Sequence, residues 1–321
     1  MGGISVTDWL SESVDRIQQK GTRGLLQSAY YAYSGALLSV ATRYPIGTNV
    51  FERDWDLLVV LDACRVDALQ EVADEYDFLP EVDSIWSVGS TSIEWMALTF
   101  RERYAAEIAR TAYVNGNAQF DKVFRERRTP PHIAAAPVGP SMDAYGVVTP
   151  DDFGHVDNVY EYGYDDDHGV VLPRTMTDRA IAVGRERNPE RCIVHYMQPH
   201  APYIGADGSP NHVFDDLRSG SLSHEEAWEA YIDTLRAVLD EVEVLLENYD
   251  VNKVAITADH GEGFGEWTFY SHNIGCPHPA VRRVPWVETT AEDGGTFETS
   301  IERVDGVSTD VENQLAQLGY R

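Results

Sequence analysis

Four side chains of this sequence have the chemistry of metal ligands, and each follows an apolar segment of strand length. They are two carboxylates and two imidazoles, namely Asp62, His200, Asp259 and His260. Imidazole among carboxylates favours Zn²⁺ or Mn²⁺, because Ca²⁺ and Mg²⁺ prefer shells made of oxygen alone. Spacing also leaves a structural alternative, in which Asp62 and Asp259 cap helices and His260 is a buried, hydrogen-bonded histidine.

Three apolar runs must bring these ligands together. Leu57–Leu61, Cys192–Tyr196 and Lys253–Ala258 have the composition of buried parallel strands, and Glu225–Glu247 has the periodicity of a long amphipathic helix. This alternation predicts an α/β fold, a three-layer α/β/α sandwich with a mostly parallel central sheet. Ligands of such sheets collect beyond the carboxyl ends of the strands, where all four side chains are expected. The segment Pro130–Asp167, rich in Pro, Gly and Asp, is predicted to be a loop.

A run of hydroxyl groups offers a nucleophile. Ser90, Thr91 and Ser92 follow Gly89 at the start of a predicted apolar helix. Backbone N–H groups and the helix dipole stabilise a developing anion at such a position. Thr91 and Glu94 also have the spacing of a capping box, and one residue can serve both roles. The residues themselves leave all three hydroxyls open.

Composition limits the partners of the chain. It has 321 residues, with 53 Asp and Glu against 25 Lys and Arg, which gives a formal charge of −28. Such a surface repels nucleic acid, so no nucleic-acid partner is expected. Hydrophobic residues make up 43% of the chain, enough for a sizeable core. The acidic, lysine-poor composition indicates a halophilic, archaeal-type protein, because high salt screens self-repulsion.

We divide the chain into an N-terminal helical segment, residues 1–50, and one catalytic domain, residues 51–321. Gly24–Thr42 is uncharged, but its serines, glutamine and tyrosines give it an amphipathic face and argue against a membrane span. The segment therefore either packs on the domain or contacts a membrane surface peripherally. Three cysteines at unrelated spacings indicate no disulfide framework and a reducing compartment. A cytoplasmic location is expected, with membrane association left open.

The motifs around these residues resemble those of the alkaline phosphatase and sulfatase superfamily. Asp62 lies in LVVLDACRVDAL, Asp259 and His260 lie in ITADHGEGFGE, and His200 lies in PHAPY. Arg283-Val284-Pro285 is similar to the strand entry after the second metal motif, and Val307–Gly319 is similar to a late helix of the family. The resemblance covers roughly residues 54–319, and its nearest branch is that of the phosphoglycerol transferases. It implies an alkaline-phosphatase-like fold.

The resemblance also implies a site. Aligned on the Gly-x-Thr-Ser pattern of that branch, Thr91 is the nucleophile, whereas small shifts of register select Ser90 or Ser92. The ligands of one Mn²⁺ or Zn²⁺ ion would be Asp62, Thr91, Asp259 and His260. One ion is expected rather than two, because Tyr196 stands where one branch has a further Asp ligand.

Either His200 or His272 would donate a proton to the leaving group, and His278 is a rival of His272. Asn115 and Asn117 are assigned to a turn, with pocket lining as the alternative. The sequence lacks the Cys-x-Pro-x-Arg motif of formylglycine sulfatases.

The expected function is metal-dependent phosphoryl transfer, by a hydrolase or transferase acting on phosphate monoesters or diesters through a Thr or Ser nucleophile. The substrate ester would belong to a molecule such as a glycan or a lipid head group. Two alternatives stay open. One is a sulfatase-like hydrolase without formylglycine, and the other is a non-catalytic protein that binds a glycan or head group.

Overall fold

The computed structural model describes residues 6–41, 46–128, 146–204, 213–304 and 314. The helices are α1 (Val6–Lys20), α2 (Thr22–Ala41), α3 (Val66–Val72), α4 (Ser92–Thr99), α5 (Ala105–Ile108), α6 (Pro173–Arg187), α7 (Val213–Ser219), α8 (His224–Leu246) and α9 (Pro279–Arg282). The strands are β1 (Leu57–Leu61), β2 (Asp83–Trp86), β3 (Thr111–Asn115), β4 (His155–Asn158), β5 (Tyr164–Asp165), β6 (Val170–Val171), β7 (Arg191–Tyr196), β8 (Val251–Thr257) and β9 (Arg283–Ala291). The late helix expected over Val307–Gly319 lies outside the described residues, apart from Gln314.

In the described part of the chain, seven strands form the central sheet in the order β2-β9-β8-β1-β7-β3-β4. The pairs β8–β1, β1–β7, β7–β3 and β3–β4 are parallel, and β9 runs antiparallel to both of its neighbours. All five residues of β1 are fully buried, as expected for a central strand covered on both faces. The predicted α/β fold with a mostly parallel sheet is confirmed.

Helices cover both faces of the sheet. Two adjacent residues of β7 show this, since adjacent side chains of one strand point to opposite faces. On β7, the Tyr196 hydroxyl is 2.8 Å from Thr177 Oγ1 of α6, and α8 packs beside α6. The preceding residue, His195, points the other way and packs edge-to-face against Trp95 of α4, with ring centroids 5.4 Å apart. The sheet is therefore the middle layer of the three that the sequence predicts.

The predicted helix over Glu225–Glu247 is α8, and the predicted strand entry at Arg283 is the start of β9. The loop predicted over Pro130–Asp167 is wrong in its described part, because β4 lies within it and pairs with β3 at the edge of the sheet. Its sequence, HVDN, is short and has three polar residues out of four, so it carries no apolar run that could be recognised as a strand. Residues 130–145 lie outside the described ranges.

The N-terminal helices α1 and α2 pack on each other as a hairpin. Tyr30 and Tyr33 of α2 attach the hairpin to the domain by donating hydrogen bonds to the carbonyl oxygens of Ile274 and Gly275. Among the residues described, no helix combines the length and the apolar character needed to cross a bilayer.

Candidate active site

The carboxyl ends of β1, β7 and β8 bring two carboxylates and two imidazoles together. Asp62 follows β1, Asp259 and His260 follow β8, and His195 lies on β7; all four are fully buried. His260 Nε2 is 3.5 Å from Asp62 Oδ1 and 3.4 Å from Asp259 Oδ2. His195 Nε2 is 3.9 Å from Asp62 Oδ2 and 3.7 Å from Asp259 Oδ2. We call these four residues the carboxylate cluster.

The carboxylate cluster has the composition and spacing of a site for a divalent cation. One oxygen of each carboxylate is satisfied by the protein: Asp62 Oδ2 accepts from Ser92 and Asn117, and Asp259 Oδ1 accepts from two backbone N–H groups. The other oxygens, Asp62 Oδ1 and Asp259 Oδ2, are buried and have no hydrogen-bond partner among the described residues, and the same holds for His195 Nε2. Ligand atoms around a tetrahedral Zn²⁺ lie about 3.4 Å apart, which is close to the distances found here.

Electrostatics also favours a cation at this point. Burial and the charge of Asp259 raise the pKa of Asp62 well above its ordinary value. Burial acts on Asp259 in the same direction, but His260 and His195 outweigh it and lower its pKa. Burial lowers the pKa of His260 to about 4, so its imidazole is neutral near pH 7. Two buried carboxylates and a neutral imidazole form an anionic site that a divalent ion would neutralise.

Backbone contacts orient His260. Its Nδ1 lies 2.9 Å from the Gly261 carbonyl oxygen, an arrangement in which Nδ1–H donates and Nε2 presents its lone pair to the carboxylates. Gly261 is required at this turn, because a Cβ there would lie 2.1 Å from the Ala280 carbonyl oxygen. The glycine of the DHGEG motif thus permits the close chain approach that directs His260 inward.

Of the three candidate hydroxyls, that of Ser92 is the one that reaches the carboxylate cluster. Ser92 Oγ lies 3.2 Å from Asp62 Oδ2 and 3.4 Å from His260 Nε2. Thr91, which the resemblance selects, is the N-cap of α4, and its Oγ1 accepts the Glu94 N–H at 3.2 Å. The N-cap half of the predicted capping box is therefore present, whereas the Glu94 carboxylate accepts from the Ser90 N–H and not from that of Thr91. Ser92 follows as the first residue of the helix.

The third hydroxyl, that of Ser90, contacts Glu94 and Asn273 and not the carboxylate cluster. Ser90 Oγ donates to Glu94 Oε2 at 2.7 Å and lies 2.9 Å from the Asn273 carbonyl oxygen. Gly89 allows this turn, since a Cβ there would lie 2.4 Å from the Trp95 backbone nitrogen. Ser90 and Glu94 thereby join the start of α4 to the segment that follows His272.

A second cluster adjoins the first and consists of His200, Glu262 and His272. His272 Nδ1 is 3.0 and 3.1 Å from the two Glu262 oxygens, and its ring lies 4.3 Å from that of His260 and 5.0 Å from that of His200. Burial raises the pKa of Glu262 to about 7, and burial together with the charge of His200 lowers that of His272 to about 3. The structure thus brings both predicted acid candidates beside the carboxylate cluster.

The rival of His272, His278, has a local structural role. Its Nδ1 accepts the Ala280 N–H at 3.1 Å and so caps the short helix α9. Neither cluster includes it. Because His272 contacts Glu262 and lies next to His260, it is the histidine of this segment that lines the site.

Arg65 links the segment after Asp62 to the segment after His260. It donates bidentately to Asp67, and its Nη1 reaches Glu266 Oε1 at 2.5 Å and the Glu262 carbonyl oxygen at 3.1 Å. The guanidinium also lies over the Trp228 ring at 4.9 Å. The Arg65-Val66-Asp67 segment that follows Asp62 therefore fixes the loop that carries Glu262.

Sequence reasoning missed His195 and undervalued Asn117. His195 lies inside the run CIVHY, where an imidazole among apolar residues of a buried strand was the available signal. Asn117 lies in the expected turn, since its N–H donates to Asn115 Oδ1, but its side chain also donates to Asp62 Oδ2 at 2.7 Å. That contact joins β3 to β1 across the sheet, so local sequence patterns do not reveal it.

Comparison with known proteins yields solved structures of similar fold. The soluble domain of lipooligosaccharide phosphoethanolamine transferase A from Neisseria meningitidis is 14% identical, with 74% of this chain and 76% of that chain covered and a TM-score of 0.49. A putative sulfatase from Bacteroides thetaiotaomicron is 12% identical over 82% and 70% of the chains, with a TM-score of 0.41. A protein in the alkaline phosphatase superfamily from Vibrio parahaemolyticus is 11% identical over 81% and 69%, with a TM-score of 0.40.

No family model and no curated protein matches the chain. Identities of 11–14% do not carry a relative's substrate over to this chain.

Proposed function

We propose that this chain is a metal-dependent phosphoryl-transfer enzyme of the alkaline phosphatase and sulfatase superfamily, which cleaves phosphate esters through the Ser92 hydroxyl. The observation that supports this most strongly is the contact between Ser92 Oγ and Asp62 Oδ2. Ser92 is the first residue of α4, and it lies beside Asp62 Oδ1 and Asp259 Oδ2, which have no hydrogen-bond partner among the described residues. A serine hydroxyl in that position adjoins both a cation site and the backbone N–H groups of a helix N-terminus.

The carboxylate cluster would hold one divalent ion, Mn²⁺ or Zn²⁺, through Asp62, Asp259 and His260, with Ser92 Oγ beside them. When bound, such an ion polarises a phosphoryl oxygen and lowers the pKa of a neighbouring hydroxyl. His195 is a further ligand candidate, because its Nε2 is buried and without a hydrogen-bond partner. Asn117 holds the Asp62 carboxylate in place from the side of β3.

In the proposed reaction, Ser92 passes its hydroxyl proton to Asp62 Oδ2, the acceptor of its hydrogen bond, and Oγ attacks phosphorus in line with the leaving oxygen. The Oγ–P bond forms, the bond from phosphorus to the leaving oxygen breaks, and the first N–H groups of α4 stabilise the phosphoryl oxygens. The hydrogen-bonded pair of His272 and Glu262, which keeps a proton near neutral pH because burial raises the pKa of Glu262 to about 7, or the adjacent His200 donates a proton to the leaving oxygen. Water or a second alcohol then takes the phosphoryl group from Ser92. The choice between these acceptors distinguishes a hydrolase from a transferase.

The test begins with purified protein stripped by a chelator and reloaded with Mn²⁺ or Zn²⁺. We expect about one ion per chain, and turnover of aryl phosphate monoesters or diesters only in the loaded protein. Asp259→Asn should lose both metal and turnover, whereas Asp166→Asn, at an exposed position between β5 and β6, should keep both. Turnover by metal-free protein would contradict the proposal.

The same assay separates the alternative functions. Faster cleavage of an aryl sulfate than of any phosphate ester would favour the sulfatase-like reading. Stoichiometric metal binding without cleavage of any ester would favour a binding protein. His272→Ala should slow turnover, and His278→Ala is its matched control, because His278 caps α9 and lies outside both clusters.

A further inference from the structure

The α1–α2 hairpin exposes large apolar side chains that the domain does not cover. Leu10, Val14 and Ile17 recur at intervals of four and three, so they share one face of α1, and they are 51%, 51% and 37% exposed. Leu25 and Leu26, at the start of α2, are 55% and 69% exposed. We call these five residues the apolar face of the hairpin. Exposed apolar residues concentrated on one small element indicate a binding surface.

The charge of the hairpin differs from that of the rest of the chain. Residues 6–41 contain three acidic side chains, Asp8, Glu12 and Asp15, and three basic ones, Arg16, Lys20 and Arg23. The hairpin is therefore neutral, and the whole formal charge of −28 lies on the remaining residues. Lys20 and Arg23 flank the turn between the helices, next to Leu25 and Leu26. Apolar side chains bordered by long basic ones are typical of helices that lie in a lipid interface.

The hairpin is attached to the rim of the candidate active site. Tyr30 and Tyr33 donate to the carbonyl oxygens of Ile274 and Gly275 at 2.6 and 3.2 Å. The other side of this segment is held from the start of α4, because Gly275 N donates to Glu94 Oε2 and Cys276 N to Ser90 Oγ. A surface bound by the hairpin would therefore lie beside the segment that follows His272.

We propose that the apolar face of the hairpin binds peripherally to a lipid bilayer, with Leu10, Val14, Ile17, Leu25 and Leu26 entering the interface. A lipid surface suits this face better than a second copy of the chain, because pairing two neutral hairpins would bring together two remaining domains that each carry a formal charge of −28. A zwitterionic bilayer carries no such repulsion. The inference goes beyond the proposed function, and its test requires no turnover.

The test is flotation of the full chain with phosphatidylcholine vesicles, in about 0.1 M and about 2 M KCl. We expect binding at both concentrations, since apolar insertion is not screened by salt. The variant Leu10→Gln/Val14→Gln/Ile17→Gln should bind at least about tenfold more weakly, because it removes apolar area from the interface. Leu25→Gln/Leu26→Gln should weaken binding independently. The matched control, Ser11→Ala/Gln18→Ala, changes exposed positions off the apolar face and should bind like wild type.

Circular dichroism and thermal unfolding should be unchanged in all variants, since every altered side chain is exposed. Failure of the wild-type protein to float at both salt concentrations would overturn the proposal. Equal binding by the triple variant and the control would also overturn it. Light scattering after size exclusion addresses the other occupant: a wild-type dimer that the triple variant turns into monomer would assign the face to a second copy.

Discussion

The sharpest prediction concerns which hydroxyl attacks, because two adjacent residues have different contacts. Ser92→Ala removes the hydroxyl that lies 3.2 Å from Asp62 Oδ2. Thr91→Ala removes only the acceptor that caps the Glu94 N–H. We expect Ser92→Ala to abolish turnover at nearly unchanged stability, and Thr91→Ala to lower stability while it retains turnover.

The expected magnitudes follow from these contacts. Loss of the nucleophile should slow turnover by at least about 1,000-fold, or about 4 kcal/mol in the activation free energy. Asp62 Oδ2 keeps its hydrogen bond from Asn117 in Ser92→Ala, so the fold loses little. Loss of the Thr91 N-cap should cost about 1 kcal/mol of unfolding free energy, or about 2 °C in Tm for a chain of this size.

The assay pairs turnover of an aryl phosphate by metal-loaded protein with thermal unfolding of the same samples. Mass spectrometry of acid-quenched wild type should locate a phosphoryl group on Ser92. The reasoning is refuted if Thr91→Ala is inactive, Ser92→Ala is active and the phosphoryl group is found on Thr91. That result would restore the assignment implied by the sequence resemblance.

Three further predictions concern stability. Arg179→Met leaves the fully buried Asp157 without its 2.9 Å ion pair and should lower the free energy of unfolding in urea by about 3–5 kcal/mol. The control, Arg110→Met, breaks an exposed ion pair and should lower it by under about 1 kcal/mol. Equal losses in the two variants would contradict this prediction. Burial and nearby arginines lower the pKa of His155 from 6.5 to about 4, so the folded state binds fewer protons and its stability should fall as pH drops from 6.5 to 4. In His155→Gln that part of the decline should be missing, and identical pH profiles would remove the argument. Finally, a formal charge of −28 should make both the urea midpoint and turnover rise with KCl, and full activity in dilute buffer would count against the halophilic interpretation.

The sequence predicts much of the sheet because each buried parallel strand is a continuous run of apolar residues. Leu57–Leu61 is apolar at every position, and that run is β1 without a residue added or lost. The long helix was predicted for a similar reason: one face of α8 is buried, and its apolar residues recur at helical spacing. The edge strand β4 has no such pattern, since three of its four residues are polar.

The sequence by itself determined which residues lie at the carboxyl edge of the sheet, because local apolar patterns indicate where each strand ends. Asp62, His200, Asp259 and His260 were identified in this way, and His272 through the resemblance to the superfamily. Only the tertiary structure decided which hydroxyl meets them. Ser90 and Thr91 precede α4 in a turn whose Thr91 backbone is extended, and Ser92 is the first residue of the helix; this turn directs their side chains to the Glu94 carboxylate, to the Glu94 N–H and to Asp62 respectively. The contacts of His195 and Asn117 likewise depend on neighbouring strands that are distant in sequence, so they appear only when the sheet is assembled.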